Sequence, residues 1–323
     1  MHNKILLALV VLTGMLGKGY AAAQDLGPQF KKVNDGIYVY AGALNESNCT
    51  IILTQEGVVL IDSGQSPKDT RVVMAAIKKL TSQPVRFIIH TEPHSDHVLG
   101  DFLLSPPAVV IAHAGAGASM KQAGLDSPAF IEKRIAQSAE MRDAFKGFHL
   151  VVPQVEYRDK MTLNMGERTF ELYYLKNVHS EADTAIWLPK ERVVFTAASV
   201  TVKRFPNHRP FVSLPDTLAG LKMMKALNPE VVIPGHGDPG TVKRIDDMEK
   251  YYSLLMERVG QMVQQGKSLD EIKKDLRMPE TADWADQERF VNNIEAAYRA
   301  VAKEHHAAFY LGPPFSFVSS SAD

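Results

Sequence analysis

The chain has 323 residues, 45% hydrophobic and 23% charged; this is globular material, enough for one large layered domain or two small ones, and it excludes a disordered polymer. Its 36 basic and 37 acidic residues nearly cancel. No overall field therefore favours nucleic acid or an anionic membrane as partner, and any steering of a small-molecule substrate must be local.

Met1 to Lys4 precede the apolar run Ile5 to Leu16 and the small residues Ala21, Ala22 and Ala23, the pattern of a secretory signal peptide cleaved near Ala23. The run is shorter than the ~20 residues that a membrane span needs, and no later segment approaches that length. The expected product begins near residue 24, is periplasmic or secreted, has no membrane span, and carries one domain over residues 24–311 and a loose Ser- and Pro-rich tail over 312–323. Cys49 is the single cysteine and lies in a strand-like run, so no internal disulfide is available and a buried thiol without a chemical role is expected. Asn45 and Asn48 each begin a glycosylation-type triplet, a pattern too short and common to decide anything.

Gly36 to Gly42, Cys49 to Thr54 and Gly57 to Asp62 read as three strands joined by turn residues, which suits antiparallel pairing. Ser66 to Leu80 has apolar residues at helical spacing, and Val85 to Ile89 returns as a buried strand, so the pattern becomes β-α-β. Ala108 to Ala112 is a further strand, and Ser127 to Phe145 reads as one amphipathic helix with Ser127 and Pro128 at its start. From Met161 the order repeats: strands near Phe170 to Leu175, Thr184 to Leu188 and Val193 to Thr196, a helix over Asp216 to Leu227, and a strand over Glu230 to Ile233. Gly240 to Gln264, Ser268 to Asp275 and Asp286 to His305 read as terminal helices. No stretch resembles an interdomain linker.

The strand at Ile89 ends directly in His90 to His97, where Glu92, His94, Asp96 and His97 place four metal-ligand types within six residues on a turn stiffened by Pro93. Open α/β sheets carry their sites at such carboxyl ends of strands. Two later loops each present a histidine at a strand-to-loop boundary: Asn177 to Thr184 with His179, and Pro234 to Pro239 with His236. His90, on the apolar strand itself, is expected to support a ligand rather than act as one. The other histidines repeat no ligand pattern.

Taken in order, Ile61-Asp62-Ser63-Gly64, Thr91 to His97, the His179 loop and Pro234-Gly235-His236-Gly237 resemble the metallo-β-lactamase superfamily over roughly Asp35 to Gly240. The resemblance implies an α/β fold, an αββα sandwich, here with extra C-terminal helices, and two zinc ions at one edge of its sheets. It implies that Glu92, His94 and His179 hold one ion, and that Asp96, His97 and His236 hold the other. Manganese or iron fits two carboxylates among six donors as well. An open position on each ion would acidify a shared water to a pKa of about 7 for attack on a carbonyl, with Asp96 orienting the nucleophile. Asp62, His90, Asp183, Thr184, Ser199 and Lys203 are the candidates for supporting or substrate contacts.

Two positions depart from the common family pattern. Glu92 stands where its first histidine is usual, and Ala198 where many members carry an aspartate that bridges both metals. This combination is similar to the third subclass of class B β-lactamases, which implies ring opening of a cyclic amide. A periplasmic ester, lactone or thioester hydrolase of the same fold, and a catalytically inactive metal-binding module, are the alternatives; oligomeric state is not legible. One carboxylate lost at Ala198 and one gained at Glu92 leaves the carboxylate count unchanged, so the departures compensate each other. On that hypothesis Glu92→His, which restores the common pattern, lowers the metal content of purified protein, and unchanged or higher content discards the compensation.

Overall fold

The computed structural model describes residues 25–41 and 46–302. The expected signal peptide, the 312–323 tail and the end of the last helix lie outside the described residues. Strands β1 (Phe30–Asn34), β2 (Ile37–Tyr40), β3 (Cys49–Thr54) and β4 (Gly57–Ile61) form an antiparallel meander, and β5 (Val85–Ile89), β6 (Val109–His113) and β7 (Val155–Tyr157) extend it in parallel to a seven-stranded sheet. A second sheet takes β8 (Lys160–Met165), β9 (Arg168–Tyr174), β10 (Thr184–Leu188) and β11 (Val193–Phe195) antiparallel, and ends in β12 (Val231–Ile233), parallel to β11.

Period-two alternation decides how these sheets stack. Ile52, Val59 and Ile61 point inward and meet Phe170, Leu172, Ile186 and Phe195 of the second sheet, while Ile51, Val58 and Leu60 point outward against helix α1 (Pro67–Leu80) through Val73, Ala76 and Ile77. With both faces covered, β3 and β4 read as continuous apolar runs. On the far side, Ala185, Trp187, Val194 and Val232 pack under α6 (Leu214–Ala226), α7 (Lys243–Gln264), α8 (Leu269–Asp275) and α9 (Phe290–Val301). The result is the expected αββα sandwich with additional C-terminal helices. Among the described residues no helix is long and apolar enough to cross a membrane.

Local structure departs from the sequence reading in several places, among them the unread strands β7 and β8. The single helix expected over Ser127 to Phe145 is two, α4 (Pro128–Ile135) and α5 (Ala139–Ala144), because extended Ser138 caps the second by accepting the Met141 N–H at 3.1 Å. No residue of α4 is fully buried, so packing does not enforce one continuous rod. The edge strand β1 carries Lys31 and Lys32, charges that suit a sheet margin but hide the strand pattern. Helix α3 (Ala116–Gln122) is built from small and polar residues with little periodicity, and Ser95–Val98, expected as loop, forms one helical turn, α2.

Each donor segment leaves the sheets at the same edge. Asp62 (φ 56°) follows β4 and Ala197 (φ 49°) follows β11, both left-handed without being glycine, which is the kind of backbone cost tolerated where a site is being shaped. Gly235 follows β12 and donates its N–H to the Ala197 carbonyl at 2.8 Å. A Cβ at Gly235 would lie 2.8 Å from the Ala197 carbonyl carbon and 2.9 Å from the Ala198 nitrogen, both backbone atoms. Gly235→Ala therefore forces the two loops apart. It is expected to destabilise by ~1–3 kcal/mol and to lower the midpoint of thermal unfolding; a wild-type melting curve would contradict the close approach.

Candidate metal centre

The structure draws the six donor residues from three distant stretches into two groups. In one, ligand atoms of Glu92, His94 and His179 lie within 4.8 Å of one another; in the other, those of Asp96, His97 and His236 do. The His94 and His179 rings meet edge to face at 4.8 Å, and the His97 and His236 rings at 5.4 Å. Glu92, His97, His179 and His236 are buried, and Asp96, a quarter exposed, opens to the surface.

Glu92 sits differently from a ligand belonging to one group alone. Its Oε2 contacts His94 Nδ1 and lies 3.3 Å from His179 Nε2, while Oε1 lies 3.4 Å from His97 Nε2 and accepts the Ala198 N–H at 3.1 Å. The carboxylate thus spans both groups, next to the position where many relatives carry the bridging aspartate. Glu92 groups with His94 and His179 as expected, and beside the methyl of Ala198 its second oxygen also approaches His97.

Buried carboxylates fix the loops from behind. Asp62 accepts the Thr91 N–H at 2.7 Å and the Thr91 hydroxyl at 2.6 Å, and its Oδ2 lies 2.8 Å from His97 Nδ1. That contact places the proton on Nδ1 and leaves Nε2, buried and without a hydrogen-bond partner among the described residues, facing the centre. Asp183 accepts the N–H groups of His179 at 2.5 Å and Ser180 at 2.8 Å, fixing the His179 loop. His90 Nε2 pairs with Asp101 at 2.8 Å beneath the first loop, away from the donors. Thr184 joins the loops by donating its N–H to the Thr91 carbonyl at 2.8 Å.

Two candidates turn elsewhere. The Ser199 hydroxyl donates to the Thr196 carbonyl, as a helical-turn serine does. Lys203 pairs with Asp283 at 2.6 Å on the exposed surface. Neither lines the cleft that contains His94, Asp96, His179 and His236. Asn48, unremarkable beyond its glycosylation-type triplet, is buried and donates from its amide to the Pro234 and Gly237 carbonyls at 2.9 and 2.7 Å, tying down the His236 loop. Arg204, Arg209 and Arg289 line the same cleft as the donors; the only sequence sign of the first two was a basic, Pro-bounded stretch after the His179 region.

The protonation pattern combines anionic carboxylates with one histidine proton that a bound cation would displace. Burial alone would push the Glu92 carboxyl up, but His97, His179 and His94 outweigh it and hold it well below the usual carboxylate range. Burial opposes charge on His97, yet Glu92, Asp62 and Asp96 raise it to about 10. Burial pushes His236 down to about 4 against the pull of Asp96. Two anionic carboxylates, an inward unpaired imidazole nitrogen and oxygen and nitrogen donors in two clusters of three match the ligand chemistry of a divalent metal pair.

Two sheets packed between helices, with metal-type donors gathered where the strands end, define a class of metal-centred α/β hydrolases. The chain belongs to the metallo-β-lactamase superfamily, whose family model matches residues 43–236 and whose members are mainly metal-dependent hydrolases. It is 24% identical over 219 residues to a linear primary-alkylsulfatase of Pseudomonas sp. (strain ATCC 19151), covering 58% of this chain and 41% of that one. It is 22% identical over 205 residues to a type 2 metallo-β-lactamase of Bacillus cereus, covering 62% and 71%. Among solved structures, the metallo-β-lactamase from Pontibacter korlensis superposes with a TM-score of 0.54 at 18% identity, over 68% of this chain and 96% of that one. The stereoselective inverting sec-alkylsulfatase from Pseudomonas sp. superposes with a TM-score of 0.66 at 18% identity, over 88% and 52%. The chain therefore spans about half or less of the length of these alkylsulfatases.

In metal-free protein His97 carries a proton up to about pH 10 while His236 is neutral above about pH 4. A cation taken up by Asp96, His97 and His236 must displace that one proton. Its apparent affinity is expected to rise about tenfold per pH unit between about pH 6 and about pH 9, with about one proton released per ion. Zinc titration calorimetry in buffers of different ionisation enthalpy measures both quantities, and a pH-independent affinity would contradict this proton count.

Proposed function

We propose that this protein is an exported hydrolase using two divalent cations, zinc foremost, to open the carbonyl–nitrogen bond of a cyclic amide such as a β-lactam. The observation that carries the reading is the buried Glu92 carboxylate spanning two groups of three donors. Glu92, His94 and His179 would hold one ion and Asp96, His97 and His236 the other. Ions held there supply Lewis acidity toward a carbonyl and lower the pKa of water.

The side chains supply position and proton handling. Asp96 is the carboxylate nearest solvent, beside His97 at 3.7 Å and His236 at 3.5 Å; it orients the attacking water and accepts its proton, which then passes to the leaving nitrogen. Asp62 holds the His97 ring so that Nε2 stays directed inward. No serine or cysteine nucleophile is required: Ser199 is committed to backbone, and the Cys49 thiol is buried, with burial and then Asp62 pushing its pKa well above the ordinary value.

Export is supported by the Lys4, Ile5 to Leu16, Ala21 to Ala23 leader pattern. A second reading, sulfate-ester hydrolysis, is favoured by the superposition of the alkylsulfatase over 88% of the chain against 68% for the β-lactamase. A carboxylic ester, lactone or thioester would use the same donors.

Purified protein loaded with zinc is expected to turn over a chromogenic cephalosporin, and a chelator to abolish that turnover. Turnover of a primary alkyl sulfate or an aryl ester with none of the cephalosporin would replace the amide reading. Tight metal uptake without turnover of any of the three would leave only a metal-binding module.

A further inference from the structure

The cleft that holds the donors is also lined by three arginines, Arg204, Arg209 and Arg289. Arg204 is 6% exposed; its Nε reaches Asp286 Oδ2 at 2.5 Å, and its Nη1 is buried without a hydrogen-bond partner among the described residues. Arg289 Nη1 shares the same Asp286 oxygen at 2.7 Å, and Arg209 Nη1 donates to the His179 carbonyl at 3.2 Å. Asp286 pairs with both Arg204 and Arg289, the exposed Glu288 lies 3.9 Å from Arg289 Nε, and Asp96 lines the same cleft among the donors. Three guanidinium groups are thus met by two carboxylates, of which only Asp286 is largely buried.

This arrangement is held in place deliberately by the backbone. Ala285 bridges Arg204, accepting the Phe205 N–H at 3.1 Å and donating its own N–H to the Lys203 carbonyl at 2.9 Å, and Trp284 packs on Phe205 with ring centroids 5.3 Å apart. Asp286 adopts φ 58°, ψ 44°, left-handed for a residue with a side chain, and from there reaches both arginines. A buried donor without a partner costs free energy that folding alone does not recover. An oxyanion placed against Arg204 and Arg289 removes that cost, because a guanidinium presents paired N–H donors that match carboxylate or sulfate oxygens.

We propose that Arg204, Arg289 and Arg209 form an anchor for an oxyanion of the substrate, a carboxylate or a sulfate, and that Asp286 sets their spacing. The anchored group lies in the same cleft as the donor side chains, so it orients the substrate beside them. Asp286 and Arg289 come from beyond residue 236, where the family match ends, so the C-terminal region of this chain contributes to substrate choice. The proposal rests on the hydrolase reading above and narrows its substrates to anionic ones.

Two measurements test the anchor. The first needs no turnover: sulfate and acetate are titrated into metal-free protein while the tryptophan fluorescence, which includes Trp284 packed on Phe205, is followed. Wild-type protein is expected to bind at least one of the two anions, and which binds more tightly tells sulfate from carboxylate recognition. Arg204→Lys, which keeps the charge but loses Nη1, and Arg289→Gln, at a more exposed position, are each expected to weaken binding about tenfold or more. Absence of binding to the wild type, or equal binding by wild type and both variants, overturns the anchor. The second compares a cephalosporin bearing its free carboxylate with its neutral methyl ester. Both variants are expected to raise KM for the acid about tenfold, to leave kcat within about twofold, and to leave KM for the ester unchanged; equal effects on acid and ester also overturn it. A protein that binds anions in the first assay but hydrolyses neither cephalosporin in the second refutes the amide reading and keeps the anchor.

Discussion

Everything at the sheet edge is organised around one buried anion. The Glu92 carboxylate, 1% exposed, is surrounded by the imidazoles of His94, His97 and His179 and by the Ala198 N–H. Removing a carboxylate from water costs several kcal/mol unless charge and hydrogen bonds replace the solvent. Here the replacement comes from three separate chain segments, so the anion requires the β5, β9-to-β10 and β11 loops to be in place together. The same electrostatics that hold Glu92 anionic keep a proton on His97 until a stronger positive charge takes over. The centre is therefore poised for cations by its own charge balance.

The sandwich explains how so much polar density can sit in one place. Ile52, Val59, Ile61, Phe170, Ile186 and Phe195 fill the space between the sheets, so polar groups are confined to the strand ends. There a recurring device appears. Asp62 fastens Thr91 and His97, Asp183 fastens the His179 loop, and Asp101 holds His90. Each is a buried aspartate; Asp62 and Asp183 accept from backbone and hydroxyl groups of the donor loops, and Asp101 pairs with the His90 ring. The donors are consequently positioned by groups that never face the cleft.

Periodicity made most of this architecture legible. The apolar runs of β3, β4, β5 and β10 and the spacing within α1, α6 and α7 carry patterns that packing then satisfies. The six donors were legible because residues with metal chemistry are dense in Glu92 to His97 and recur at two Gly- or Pro-bounded strand ends. What escaped was information held in three dimensions alone. The break between α4 and α5 depends on a serine cap and on the absence of buried contacts. Ser199 and Lys203 have suitable chemistry and proximity in sequence, but one hydroxyl finds a carbonyl three residues back and the lysine finds Asp283. The second oxygen of Glu92 approaches His97 beside the methyl of Ala198, and Arg289 meets the centre only because a segment far along the chain folds back.

That return segment gives the molecule a modular history written along its length. All six donors precede residue 237, whereas Asp286 and Arg289 are made last and reach the cleft by zipping residues 284 to 286 onto 203 to 205. As the chain emerges from the ribosome, the parts that gather cations exist before the parts that complete the cleft. The cleft is therefore complete only after the chain beyond residue 280 has docked, so its assembly depends on a contact of long sequence separation.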